Sequence, residues 1–179
     1  MPITIYHRRS IRIQGFDYGQ PGAYFITICA WQKKQIFGEI KQGKMILSKV
    51  GEIARKELEK LSRRFPRISM DGFVVMPNHI HALITISADS ASPNPDTSDN
   101  LEGFKHPVPG SIPTIVRSYK AAVTQRVSVL RDASVSVVWQ RNYYEHVVRN
   151  ENERERIFAY IVSNPVRWDS DEENPGSVK

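Results

Sequence analysis

Phe73-Val74-Val75-Met76-Pro77-Asn78-His79-Ile80-His81-Ala82-Leu83-Ile84-Thr85-Ile86 is the stretch that decides how this chain folds. β-branched and apolar residues run up to Met76, Pro77-Asn78 supplies turn chemistry, and a second apolar run follows. The pattern predicts two neighbouring strands, Ile68 to Met76 and His79 to Ile86, joined by a tight turn. Side chains alternate along a strand, so His79 and His81 share one face while Ile80 turns to the other. Two imidazoles side by side on a rigid strand make half a site for a divalent cation. The same spacing also fits two partly exposed histidines without a ligand, and periodicity does not separate these readings.

Outward from this stretch the elements fall into order. Ala23 to Trp31, preceded by Pro21-Gly22, reads as a strand. Ile36 to Ile40 and Lys44 to Leu47 read as a hairpin around Gln42-Gly43. Ser48 then caps a helix whose Val50, Ile53, Ala54, Leu58 and Leu61 recur at helical spacing, and Pro66 ends it. A second long helix runs from Ser111 to about Arg131, with Ile115, Tyr119, Ala122, Val123 and Val127 as its stripe. Val135 to Trp139 reads as a short strand, a helix is expected from near Tyr143, and a last helix carries Ile157, Tyr160 and Ile161 up to Asn164-Pro165. This order predicts an α+β fold of ferredoxin-like, RRM-like type. An antiparallel sheet would be covered on one face by the two long helices, with further helices at the C-terminal end.

Residues 1–20 read as a basic N-terminal arm and 21–168 as one domain with a flexible insert at 87–110. Residues 169–179 read as a disordered acidic tail. The chain of 179 residues has a net charge of +6, and the charge is uneven. Residues 111–150 hold six Lys or Arg against two acids, whereas the insert and the tail are acidic. A basic structured surface suits a polyanionic partner. One cysteine, Cys29, has no partner for an internal disulfide and reads as a small buried residue in a reducing compartment. No signal peptide and no run long enough to span a membrane is visible, so a cytoplasmic location is expected.

A second constellation is Trp139-Gln140-Arg141-Asn142-Tyr143-Tyr144-Glu145-His146-Val147-Val148-Arg149. On a helix, Tyr143, His146 and Arg149 would form one row: nucleophile, metal ligand and phosphate clamp. A phenol, with an ordinary pKa near 10, needs a base, a metal or a cation to act as a nucleophile. The plain alternative is packing by aromatic residues at helical spacing beside solvated arginines.

Four motifs in order resemble a known family. Met76-Pro77-Asn78-His79-Ile80-His81 resembles the His-hydrophobic-His motif of single-tyrosine HUH transposases. The Trp139–Arg149 segment resembles the signature of their REP-associated tyrosine transposase branch, which is related to the transposases of insertion sequence 200. Arg8-Arg9-Ser10-Ile11-Arg12 with Gly22 to Cys29 matches the start of that branch, and Asn164-Pro165-Val166-Arg167-Trp168 its end. The resemblance spans nearly the whole chain apart from the insert and the tail. It implies a ferredoxin-like domain that acts on single-stranded or hairpin DNA, with Mg²⁺ or Mn²⁺ held by His79 and His81. It further implies a tyrosine that forms a transient 5′-phosphotyrosine link, mapped onto Tyr143, with Tyr144 as the alternative. In the wider superfamily a polar residue one turn past the tyrosine completes the metal site. His146 is the candidate here, because Val147 at the four-on position cannot ligate.

On this reading Arg8, Arg9, Arg12, Arg117, Lys120, Arg141 and Arg149 would contact the DNA backbone. Trp31, Tyr24 or Trp139 would be available to stack on splayed bases, or else belong to the core. The expected assembly is a monomer or a homodimer. Two other functions fit the same residues: a metal-dependent phosphoesterase that uses water in place of tyrosine, and a regulatory nucleic-acid-binding protein without catalysis.

Overall fold

Gly22–Cys29 (β1), aromatic and β-branched, lies at the inside of the sheet in a computed structural model that describes residues 16–88, 108–130 and 137–177. The hairpin strands Gly38–Lys41 (β2) and Lys44–Leu47 (β3) follow, then helices Lys49–Glu59 (α1) and Leu61–Arg64 (α2). Ile68–Val75 (β4) and His79–Ile86 (β5) come next, then helix Ile112–Leu130 (α3), strand Tyr144–Val148 (β6) and helix Glu151–Ser163 (α4). The main sheet has the order β4-β5-β1-β6 with every neighbouring pair antiparallel. Set the small β2–β3 sheet aside, and the order β1-α1-β4-β5-α3-β6 is the β-α-β-β-α-β plan of the ferredoxin-like class expected from the sequence, with its last strand at Tyr144–Val148 and not at 135–139.

Alternation along β1 and β5 builds two cores. Tyr24, Ile26 and Ile28 meet Ile80, Ala82 and Ile84 on the face covered by α1 and α3, where Ala54, Leu58, Ile115 and Tyr119 are buried. Phe25 and Leu83 turn to the other face and pack with Ile157 and Ile161 of α4. Burial on both faces explains why these central strands are apolar at nearly every position.

Helix α1 starts where the sequence places it. Ser48 Oγ accepts the Gly51 N–H at 3.1 Å and donates to the Ile36 carbonyl at 2.7 Å, which ties the cap to the hairpin. Glu57 near its end is fully buried and holds Lys60, Arg64 and Arg126 at 2.7, 3.0 and 2.7 Å, joining α1, α2 and α3. Burial alone would raise this carboxyl's pKa. The hydrogen bonds from Lys60 and Arg64, with the charge of Arg126, hold it below the usual carboxylate range instead. Glu57→Gln is expected to lower stability by about 1–3 kcal/mol at pH 7. A depressed carboxyl stabilises the fold above its unfolded pKa and stops doing so as pH falls through the folded value. Urea melts of the two proteins should therefore converge as pH drops from neutral toward 3.

Expectations for the C-terminal part of the chain need correction here. The segment after Asn142, predicted as a helix, is strand β6, with Tyr144 opposite Thr27 and His146 opposite Phe25. The free edge of β1 supplies the reason: a Tyr-Glu-His-Val-Val run that suits either structure gains a ladder there. Asn150 caps the next helix, its Oδ1 accepting the Glu153 N–H at 2.9 Å. Of the short strand expected at 135–139, the described part shows a lone bridge from Trp139 to Ala30. Secondly, the acidic tail expected to be disordered is folded as far as residue 177. Pro165–Ser170 forms a 3-10 turn, and Asp171 and Glu173 are buried beyond it. The basic arm residues Arg8, Arg9 and Arg12, and most of the insert at 87–110, lie outside the described residues.

Candidate metal centre and catalytic site

His79 and His81 stand at the start of β5, opposite Cys29 and Thr27 of β1. They are 0% and 2% exposed, and their Nε2 atoms face each other at 3.0 Å. The other ring nitrogens are held by side chains. Asn78 Nδ2 donates to the carbonyls of Glu173 at 2.6 Å and Lys33 at 3.2 Å, which fixes its amide and leaves Oδ1 as acceptor. That oxygen lies 2.8 Å from His79 Nδ1, so the proton sits on Nδ1 and Nε2 presents a lone pair. Thr27 Oγ1 lies 2.8 Å from His81 Nδ1 and can donate or accept as the tautomer requires.

Helix α4 completes the site. It is seated by Arg154, whose guanidinium donates to Asp71 at 2.9 Å, and by Phe158, which rests on Gly72 of β4. A Cβ at Gly72 would meet the Phe158 ring at 3.0 Å. At its N-terminal end Glu153 accepts the Arg149 N–H at 2.7 Å and pairs with His146 at 3.0 Å. Seated in this way, α4 brings the Tyr160 hydroxyl to 3.3 Å from His81 Nε2, while the His81 ring stacks on Phe25. One turn on, buried Asn164 donates from Nδ2 to Asp171 at 3.1 Å, and its Oδ1 has no hydrogen-bond partner among the described residues. The ligand atoms of His79, His81 and Asp171 lie within 4.8 Å of one another.

The electrostatics point the same way. Burial drives the pKa of His79 well below its ordinary value, with the charge of His81 adding to it, and brings that of His81 to about 3. Burial also raises the carboxyl of Asp171, partly offset by hydrogen bonds from Glu173 and Asn164, and raises the Tyr160 phenol. Each group is thus pushed toward its neutral form. A dication would meet two neutral imidazoles and a carboxylate, with the buried Asn164 amide bonded to that carboxylate, a mixed N,O donor set suited to a divalent ion. The residues fit such an ion.

The sequence-predicted residues are scattered by comparison. Tyr143 packs on the α1–α3 side, where Lys120 lies 5.9 Å from its ring centre. Tyr144 is on the histidine face, but β1 separates β6 from β5, which puts its Cα about 10 Å from that of His81 by strand spacing. His146 is engaged with Glu153 and does not join the group formed by the histidines and Asp171. The Lys120 ammonium is directed to the carbonyls of Gln140 and Asn142, and burial lowers its pKa to about 8. Arg117, Arg141 and Arg149 are exposed. Sequence reasoning passed over Tyr160, Asn164 and Asp171. Tyr160 and Asn164 stand four apart just before Pro165, the polar residue one turn past a tyrosine that Val147 could not provide.

Hydrogen bonds behind metal ligands fix ring orientation and tune affinity. Thr27→Val keeps the shape of the side chain and removes the oxygen; Mn²⁺ affinity measured by calorimetry is expected to fall about 10–100-fold. Thr27→Ser should restore it.

No protein-family model matches the chain. An uncharacterized protein of Haemophilus influenzae is 37% identical over 171 residues, covering 94% of this chain and 93% of that protein. The two chains belong to one family. A REP-associated tyrosine transposase solved in complex with a REP hairpin superposes with a TM-score of 0.54 at 21% identity, over 83% of this chain and 69% of that one. The α+β architecture described above is therefore that of the REP-associated tyrosine transposase fold. Among the described residues, no helix is long and apolar enough to cross a membrane.

Proposed function

We propose that the chain is a metal-dependent transposase that cuts and rejoins single-stranded or hairpin DNA through Tyr160. The observation that supports this reading most is the Tyr160 hydroxyl, 3.3 Å from His81 Nε2 beside the His79–His81–Asp171 cluster. His79, His81 and Asp171, with the Asn164 amide oxygen, would hold Mg²⁺ or Mn²⁺. Bound there, the ion supplies Lewis-acid polarisation of a phosphate and favours the phenolate of a tyrosine whose burial opposes it.

Tyr160 Oη attacks phosphorus. The P–O3′ bond breaks, the upstream strand leaves with a 3′-hydroxyl, and the downstream strand stays on the enzyme as a 5′-phosphotyrosine. Attack by a 3′-hydroxyl reverses the step and returns the tyrosine, so the number of phosphodiester bonds is conserved without an energy source. Thr27 and Asn78 keep the rings aimed, and α4 fixes the distance between nucleophile and ligands.

The direct test incubates the protein with Mn²⁺ or Mg²⁺ and labelled hairpin-forming single strands from the flanks of its own gene. A denaturant-resistant adduct that maps to Tyr160 by mass spectrometry is the expected result. Cleavage without an adduct would favour water as nucleophile, and binding without cleavage a purely nucleic-acid-binding role.

A further inference from the structure

The chain leaves β1 through Trp31-Gln32-Lys33-Lys34. Gln32 and Lys33 both adopt left-handed backbone, with φ of 54° and 52°, which residues bearing a Cβ seldom do. Three contacts hold them there. The Ala30 N–H donates to the Asn78 carbonyl at 2.8 Å, the Asn78 amide donates to the Lys33 carbonyl at 3.2 Å, and the Lys33 ammonium pairs with Glu173 at 3.0 Å. The bracing residue is thus the same Asn78 that orients His79. The Trp31 N–H is also fixed, donating to the Val138 carbonyl at 2.9 Å. So the loop is rigid, strained, and built into the rim of the metal centre.

What this loop displays is an indole. Trp31 is 41% exposed, whereas Trp139 and Trp168 are each 7% exposed. Tyr24 and Trp139, the other stacking candidates from the sequence, belong to the core. Gln32, Lys34 and Gln35 are exposed beside Trp31, and the Lys33 side chain keeps 40% of its surface open despite its pairing. Backbone strain held in place at a functional rim calls for a use outside the chain. A flat aromatic face flanked by cations fits a nucleobase with its phosphates and has little to offer an apolar protein surface.

We propose that Trp31 is a stacking platform for an unpaired base of the single strand whose phosphate enters the His79–His81 centre, with Lys33 and Lys34 against the adjoining phosphates. The assignment rests on the strand-transfer reading above and adds to it a residue that positions the strand beside the scissile bond. Stacking tolerates any base, so Trp31 contributes affinity and register and leaves the choice of sequence to other contacts.

The test titrates full-length protein with a metal-free single-stranded oligonucleotide, following tryptophan fluorescence and, separately, polarisation of a label on the DNA. Binding is expected to quench the wild-type signal. Trp31→Phe should bind nearly as well while losing most of the quench, because the remaining tryptophans are buried. Trp31→Ala should bind about tenfold or more weakly, with Mn²⁺ affinity unchanged as proof that the centre is intact. If Trp31→Ala binds like the wild type while the wild type still forms its adduct, the platform is overturned and the strand-transfer reading stands. If the wild type binds no single strand and forms no adduct, the strand-transfer reading falls and the platform with it.

Discussion

Tyr160→Phe is expected to abolish the covalent protein–DNA adduct and to lower strand cleavage about a thousandfold or more, as loss of a nucleophile does when the rest of a site is intact. DNA binding and Mn²⁺ binding should stay near wild type. The substitution removes one oxygen that lies 3.3 Å from His81 Nε2 and also interacts with the Asn164 side chain, and the ring keeps its packing against Phe25. The cost in stability should be at most about 1 kcal/mol. Tyr143→Phe and Tyr144→Phe serve as controls and should retain the adduct, since Tyr143 faces the α1–α3 core and Tyr144 lies across β1 from His81. Cleavage at the normal rate by Tyr160→Phe would sink the covalent mechanism. An adduct lost only with Tyr143 or Tyr144 would return the nucleophile to the segment first indicated by sequence resemblance.

The second large effect concerns the metal. His79→Ala is expected to weaken Mn²⁺ binding at least about a hundredfold and to remove cleavage, because one of two opposed imidazoles is lost. Hairpin binding should remain close to normal if, as proposed, that contact is made by exposed cations such as Arg117, Arg141 and Arg149, away from the buried pair. His79 is fully buried, so the alanine variant also opens a cavity. His79→Gln keeps most of the volume, and a melting curve near that of the wild type would assign its loss of metal to the missing ligand. Retained Mn²⁺ affinity in a folded His79→Gln would show that the cation is held elsewhere.

Much of the fold was legible because its central strands are written at a single period. His79–Ile86 and Lys44–Leu47 have the bounds read from the sequence, and Ser48 caps α1 as its position indicated. The histidine pair was legible for the same reason, since alternation alone puts both rings on one face. The rest depended on contacts distant along the chain. Tyr144–Val148 suits a helix or a strand equally, and the open edge of β1 decides between them. Asp171 reaches His79 and His81 only after the chain turns through Pro165–Ser170, a path that no local pattern announces. Tyr160 and Asn164 did leave a trace, the four-residue step before Pro165, but their helix had been read only for its apolar stripe.

The short link between β6 and α4 sets a limit on what one molecule can do. Only Arg149 and Asn150 separate the strand from the helix. While β6 stays zipped to β1, the helix has no slack to reach another copy's histidines. On the strand-transfer reading proposed above, each polypeptide would then carry its own nucleophile and metal ligands and would hold one severed DNA end at a time. Joining two ends would on that reading be sequential, with the second end arriving as an incoming hydroxyl while the first waits on the tyrosine.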